Sequence, residues 1–349
     1  MEKIITQVHS FMSREEKWTT SNNLIKYKIG TMLESQCELF DIEEKNYYYL
    51  TLAMKGGANH VMKLQRKLPI ELHLDYHQIY GYVMANEEFP MGKPEIKQGF
   101  HPHPFAIYQF GEGTYARLKK NGFPIIPKSL GEQGMVGADG EWFDAGLEIP
   151  FICDVDLNTM TNNYEFANNK VNIVSTMYYP KSFKGSVYFK PIINEIYTKR
   201  KQFKGQPEER FFKILNEVLP GHFERRSYHG GFWVKNFQPN SNPRQVARYN
   251  PKVGIFITAY ARRMLDKLLH MLPHDKVIGY DTDCVFYEGT KNSLPYEVLD
   301  MFGPEMGQLH DDGFYVDVFH NASKSYYGFD AITGEPFTKI AGLSKDGKA

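Results

Sequence analysis

Between Ile278 and Phe286 the chain reads Ile-Gly-Tyr-Asp-Thr-Asp-Cys-Val-Phe, apolar on both sides of a short polar tip. That pattern predicts two buried strands joined by a tight turn. Upstream, Leu72 and Leu74 alternate with polar residues into Asp75, and Ile79, Tyr82 and Val83 then take helical spacing. A strand running into a helix is predicted there. Ile257, Tyr260, Ala261, Met264, Leu265, Leu268 and Leu269 share one stripe, which predicts an amphipathic helix over 254–272. Residues 195–223 read as two helices meeting at Gly205-Gln206-Pro207. The Gly- and Pro-rich stretch 100–150 predicts loops and short strands. Residues 1–50 are polar with short helical patterns. An aromatic hairpin, Gly230-Gly-Phe-Trp-Val234, precedes a polar loop from Asn240 to Pro251.

Asp281 and Asp283 sit at the tip of the first pattern. Two residues of a strand span about 7 Å and point to one face. Two carboxylates so placed repel one another unless a cation sits between them. A hard divalent ion with oxygen ligands, Mg²⁺ or Mn²⁺, suits that position. An Asp-rich hairpin turn without a metal has the same three residues, and the local pattern alone does not separate the two.

Bulk properties narrow the picture only a little. The 349 residues are 42% hydrophobic, enough for a sizeable core, and the formal net charge is zero. A neutral chain has no global pull toward nucleic acid, so any such track must be local. One stretch supplies it: from Lys181 to Lys213 nine basic residues (Lys181, Lys184, Lys190, Lys199, Arg200, Lys201, Lys204, Arg210, Lys213) face three acids (Glu195, Glu208, Glu209). A solvated helix face has the same composition; phosphate contact is the alternative. Cys37, Cys153 and Cys284 form no ligand or pairing pattern, which suggests a reducing compartment. The N-terminus lacks the apolar core of a signal peptide, and no run of about 18 apolar residues predicts a membrane span. His101-Pro-His-Pro104 offers only two histidines on an extended loop, too few for a zinc site.

The hairpin resembles the Tyr-x-Asp-Thr-Asp-Ser motif of family B DNA polymerases, with Gly279 at the usual Tyr position and Cys284 at the usual Ser. Asp75-Tyr-His-Gln-Ile-Tyr80-Gly81 is similar to the family's Asp-x-x-Ser-Leu-Tyr-Pro, with Gln78 for Ser and Gly81 for Pro. Phe89-Pro-Met-Gly-Lys-Pro94 looks like its continuation. Lys213 to Gly221 aligns without a gap to the fingers motif Lys-x-x-x-Asn-Ser-x-Tyr-Gly, keeping Lys213 and Gly221 but placing Glu217 for Asn, Val218 for Ser and Pro220 for Tyr. Lys324-Ser-Tyr326 matches the Lys-x-Tyr motif at the primer end. Gly254–Arg263 resembles the helix before the metal hairpin, Lys55-Gly56-Gly57 the Tyr-x-Gly-Gly linker, and Lys339–Lys345 the segment leading into the thumb. The resemblance runs from about residue 50 to 345 and is nearest to the protein-primed branch of phages and linear plasmids.

That resemblance implies an α+β fold of the right-hand polymerase kind, with an antiparallel β palm carrying the metal carboxylates and helical fingers. It implies an unplaced segment over 1–54 and palm and fingers over 55–349. Within the latter, 76–195 includes an inserted subdomain, 196–223 the fingers helices, 224–253 a short hairpin insertion and 254–345 palm. The implied activity is template-directed DNA synthesis from dNTPs by two-metal nucleotidyl transfer, protein-primed, with two Mg²⁺ or Mn²⁺ ions per site. Asp75 and Asp283 are the implied bridging ligands, with Asp281 as an outer or alternate ligand. Lys213 and Lys201 are implied at the triphosphate and Tyr80 beneath the deoxyribose. Lys324, Tyr326 and Gly221 are implied at the primer and DNA. Implied partners are template and primer DNA, dNTPs, a terminal protein, and a separate exonuclease or thumb-supplying chain, in a host bacterial cytoplasm. The roughly 50 residues before Lys55 are expected to be too few for a proofreading exonuclease, so none is expected among them. Glu217 at i+4 from Lys213 offers a competing ion pair, and Pro220 is expected to end or kink its helix. A non-catalytic DNA- or partner-binding subunit with the same fold is the alternative these departures favour.

Overall fold

The computed structural model describes residues 50, 52–128, 134–224 and 251–340, with side chains described there except at 216–222 and 224. The segment 1–49, the aromatic hairpin after Gly230, Cys37 and the stretch 341–345 lie outside the described residues.

The alternating segments meet in one seven-stranded sheet. Its strands are β1 (Asn59–Val61), β2 (Lys67–Tyr76), β3 (Val277–Asp281), β4 (Cys284–Tyr287), β5 (Leu309–Ala322), β6 (Ser325–Asp330) and β7 (Pro336–Ile340). Their order is β1-β3-β4-β2-β5-β6-β7, and every neighbouring pair is antiparallel. Strand β2 is therefore central, with the β3–β4 hairpin on one side and the long β5 on the other. Alternation decides its faces: Leu72, Leu74 and Tyr76 turn one way and are buried. They join a core with Leu265, Leu268 and Leu269.

Those leucines lie on a long helix, Pro251–Met271, which follows the helices α1 (Ile79–Asn86), α2 (Asp154–Asn163), α3 (Lys190–Gln202) and α4 (Pro207–Glu224) and is numbered α5. The predicted stripe holds for its second half. Its first half is buried all round, Pro251 to Arg262 without a break, because α1, α2 and α4 pack around it. Helices α3 and α4 are the pair predicted on either side of Gly205-Gln206-Pro207. Pro220 does not end α4, which continues to Glu224. The expectation of an early stop there is corrected. A proline removes one backbone hydrogen bond, and burial of Phe211, Leu215 and Phe223 along α4 supports the helix on both sides of it.

One buried ion pair ties three distant segments together. Arg262 on α5 grips Asp156 on α2 through Nε–Oδ1 at 2.9 Å and Nη2–Oδ2 at 2.6 Å. Its Nη1 also donates to the carbonyls of Lys55, at 3.1 Å, and Gly56. The Lys55-Gly56-Gly57 segment is thus fixed against the helices before it reaches the sheet.

Residues 88–184 build smaller sheets beside this core. Ile173–Tyr178 lies between Glu95–Gln98 and Ala106–Phe110, with Phe151–Cys153 beyond. Tyr115–Leu118 pairs with Phe143–Asp144 and Tyr164–Phe166. No helix among the described residues is long and apolar enough to cross a membrane.

Candidate active site

Asp75 lies one residue before the end of β2, and its neighbours across the sheet are Cys284 on β4 and His310 on β5. Directly opposed residues of an antiparallel sheet share a face, so Asp75, Cys284 and His310 all project to the side away from the leucine core. Beyond Asp75 the chain turns sharply. Gln78 adopts φ 54, ψ 54, left-handed backbone that sets the start of α1.

The hairpin tip is tighter still. Asp283 N–H donates to the Asp281 carbonyl at 2.7 Å, closing a three-residue turn on Thr282, whose φ is 64. A β-branched residue at positive φ is held there against its preference. Thr282 N–H donates to Ala58 at 2.7 Å, and Asp283 accepts from Tyr76 N–H at 3.0 Å. Gly57 closes over the tip. A Cβ at that position would stand 2.8 Å from Thr282 Oγ1 and 3.2 Å from the Tyr80 hydroxyl. The linker glycine is required because the hairpin tip and Tyr80 both approach its backbone.

Asp75 and Asp283 then line one cleft of about 290 Å³ with His77, Gln78, Tyr80, Arg200, Lys213, His310 and Asp312. The cleft is acidic on the sheet and basic on the α3–α4 rim. Burial, with the Asp283 charge next, pushes the Asp75 carboxyl up to about 7. Its Oδ1 is buried without a hydrogen-bond partner. An orphaned oxygen beside a second carboxylate fits a divalent cation. Asp75, His310 and Asp312 also bring one donor atom each within 4.8 Å of one another, a grouping able to hold an ion.

The remaining predicted residues divide. Asp281 stands opposite Cys284, on the same face of the sheet as Asp75, but does not line the cleft. Its Oδ1 is 2.7 Å from Lys324 Nζ and accepts from Thr282 Oγ1 at 3.1 Å. Lys324 itself sits at φ 60 in the β5–β6 turn. Tyr326 is 3% exposed, enclosed by Phe286, His320, His73 and Phe337. Lys201 does not line the cleft. It pairs with Glu305 at 3.0 Å and lies 4.5 Å over the Tyr197 ring, while its neighbour Arg200 takes the place at the cleft. The side chains of Glu217, Pro220 and Gly221 are outside the described residues.

Sequence reasoning did not single out His310, Asp312, Arg200 or Gln78 as cleft residues. It also missed a buried polar cluster on the same face of β2. Glu71 accepts from His73 Nε2 at 2.6 Å and from His320 Nε2 at 2.7 Å, and all three are buried. The signal available was spacing: Glu71, His73 and Asp75 are two apart on one strand.

No family model matches the chain, and no curated protein does. Solved structures do. Phi29 DNA polymerase complexed with primer-template DNA and incoming nucleotide matches with a TM-score of 0.74 at 18% identity, covering 98% of this chain and 62% of that one. The same polymerase with single-stranded DNA gives 0.74 at 18%, and its orthorhombic crystal form 0.73 at 19% over 99% of this chain and 63% of that one. This chain has the fold of the matched part of the Phi29 DNA polymerase. It spans a little under two thirds of the length of the Phi29 enzyme. At this identity the likeness establishes architecture, and the chemistry has to be argued from the cleft itself.

Proposed function

We propose that the chain is a DNA polymerase that extends a primer on a template by nucleotidyl transfer from dNTPs. The observation that carries the reading is the meeting of Asp75, near the end of β2, and Asp283, in the β3–β4 turn, in a cleft whose opposite rim is Lys213 and Arg200. Carboxylates on one wall and fixed cations on the other match a triphosphate that arrives with divalent ions. Two such ions supply activation of the primer 3′-hydroxyl and neutralisation of the transferring phosphate. Asp75 and Asp283 would hold them. Lys213 presents a point charge to the outer phosphates, and Arg200 a planar fork suited to two oxygens at once. Tyr80 lines the cleft with its hydroxyl close to Gly57, and would form a floor on which a sugar rests. Lys324, now on Asp281, is placed beside the hairpin where a primer-terminal phosphate would compete for it. In this reading the seven-stranded sheet is the palm and α3–α4 the fingers. Priming by a terminal protein is part of the proposal and follows the sequence resemblance.

Primer extension with purified protein in Mg²⁺ or Mn²⁺ tests it. Extension should require a divalent ion, and Asp75→Ala or Asp283→Ala should abolish it while far-UV circular dichroism is unchanged. Undiminished extension by Asp283→Ala overturns the assignment.

A further inference from the structure

We propose that Asp75, His310 and Asp312 form a mixed nitrogen and oxygen cation site, on the β5 side of Asp75, that takes a transition-metal dication in preference to Mg²⁺. The inference shares Asp75 with the polymerase reading but does not require catalysis.

The placement follows from strand register. His310 stands directly across from Asp75, so the two side chains share a face. The ladder then slips between Asp311 and Gly313, leaving Asp312 as the extra residue of a β-bulge. Bulges re-aim side chains, and here a second carboxylate comes round to the imidazole. His310 Nε2 lies 3.8 Å from Asp75 Oδ2 and 3.7 Å from Asp312 Oδ1. Donors bound about 2.1 Å from one ion are themselves roughly 3 to 4 Å apart, so the three need only small adjustments to share one.

Three further observations favour a ligand over a simple ion pair. Asp75 Oδ1 is buried without a partner, which a bound cation would satisfy. The His310 ring is stacked on His77 at 3.9 Å and 3°, and its Nδ1 is buried without a partner, so Nε2 is the nitrogen presented to the carboxylates. Asp312 is largely exposed, which leaves coordination positions open to water or a ligand oxygen.

The donor set then selects the ion. Mg²⁺ prefers an all-oxygen octahedron and keeps its waters. Imidazole beside carboxylates suits borderline ions from Mn²⁺ to Zn²⁺. An Asp75 flanked by His310 would give this cleft a metal preference that two aspartates alone do not.

The probe is Mn²⁺ alone, with the full chain and neither DNA nor nucleotide. Titration should deplete the free Mn²⁺ resonance, and electron spin echoes of the bound ion should carry a ¹⁴N coupling from a directly coordinated imidazole. Protein grown on ¹⁵N-histidine should replace that coupling with the ¹⁵N one, a readout that leaves the sequence untouched. His310→Gln should lose the coupling and weaken Mn²⁺ by about tenfold or more. Asp312→Asn should weaken binding comparably and keep the coupling, as should His77→Gln keep it. Mg²⁺ should displace Mn²⁺ only in large excess. Mn²⁺ bound without nitrogen coupling in the unaltered chain, or a coupling that survives His310→Gln, overturns the site. Primer extension is read separately. Mn²⁺ held by His310 in a chain that extends no primer defeats the polymerase reading and supports the site. Extension without His310 coupling defeats the site alone.

Discussion

Gly57 and Tyr80 act as a pair. A Cβ on the glycine would need the space that Thr282 and the Tyr80 hydroxyl occupy. Gly57→Ala should therefore displace the hairpin tip by a few tenths of an ångström or more. Misplacing a reacting group on that scale costs rate more than stability, so primer extension should fall about tenfold or more with little change in Tm. A matched loss of both would mean Gly57 serves packing alone. Tyr80→Val replaces the ring with a short β-branched side chain, and opens room on the side where a 2′-hydroxyl would lie. Ribonucleotide incorporation should rise relative to deoxynucleotide incorporation. Unchanged selectivity in steady-state comparison would leave Tyr80 as a core residue of α1.

Among the elements, α5 and its partner α2 are joined by a charge pair with almost no access to water. Breaking such a pair by removing one partner leaves the other ionised and unsatisfied, at a cost of about 3 to 5 kcal/mol. Arg262→Leu should lower the urea midpoint accordingly, and it also frees the carbonyls of Lys55 and Gly56. The double variant Arg262→Leu with Asp156→Leu should recover much of the loss. A double variant no better than the single one would place the cost in the linker carbonyls instead.

The same elements show what a sequence can and cannot announce. Strand β2, α1 and the β3–β4 hairpin were legible because alternation gives way to helical spacing at Asp75 and because the polar tip is bounded by apolar runs. The second half of α5 was legible from its stripe, the first half only as the same stripe, since all-round burial depends on which helices surround it. Asp312 was hidden because a bulge, set by pairing with β2, decides its direction. Lys201 and Arg200 are adjacent in sequence, and only the helix phase of α3 against Glu305 determines which of them reaches the cleft.

At the scale of the whole molecule, neutrality conceals strong local fields. The acidic sheet face and the basic α3–α4 rim cancel in the sum but not in the cleft. Further along that face, Glu71 ties β2 to β5 through His73 and His320. Burial pushes its carboxyl up, but the hydrogen bonds from His320 and then His73 outweigh this and hold it below the ordinary carboxylate value. A carboxyl lowered on folding adds stability above its unfolded pKa, and that stability fades as pH falls through the lowered folded value. Glu71→Gln should be less stable than the parent by about 2 kcal/mol near neutral pH, with the gap narrowing in acid. Thermal unfolding across that range measures it, and a gap that is constant with pH would mean Glu71 titrates alike in both states.

Strand β5 runs from Leu309 to Ala322 and serves the Asp75 cleft at one end and the buried glutamate at the other. Both ends depend on side chains keeping their faces, and the bulge at Asp312 already uses the one tolerated irregularity between them and Asp75. Removing a single residue near Gly313 would invert the faces of everything on one side of the cut. Over descent, this strand should accept replacements of individual side chains far more readily than changes in length, and lineages that altered its length would have to rebuild the cleft and the core in the same step.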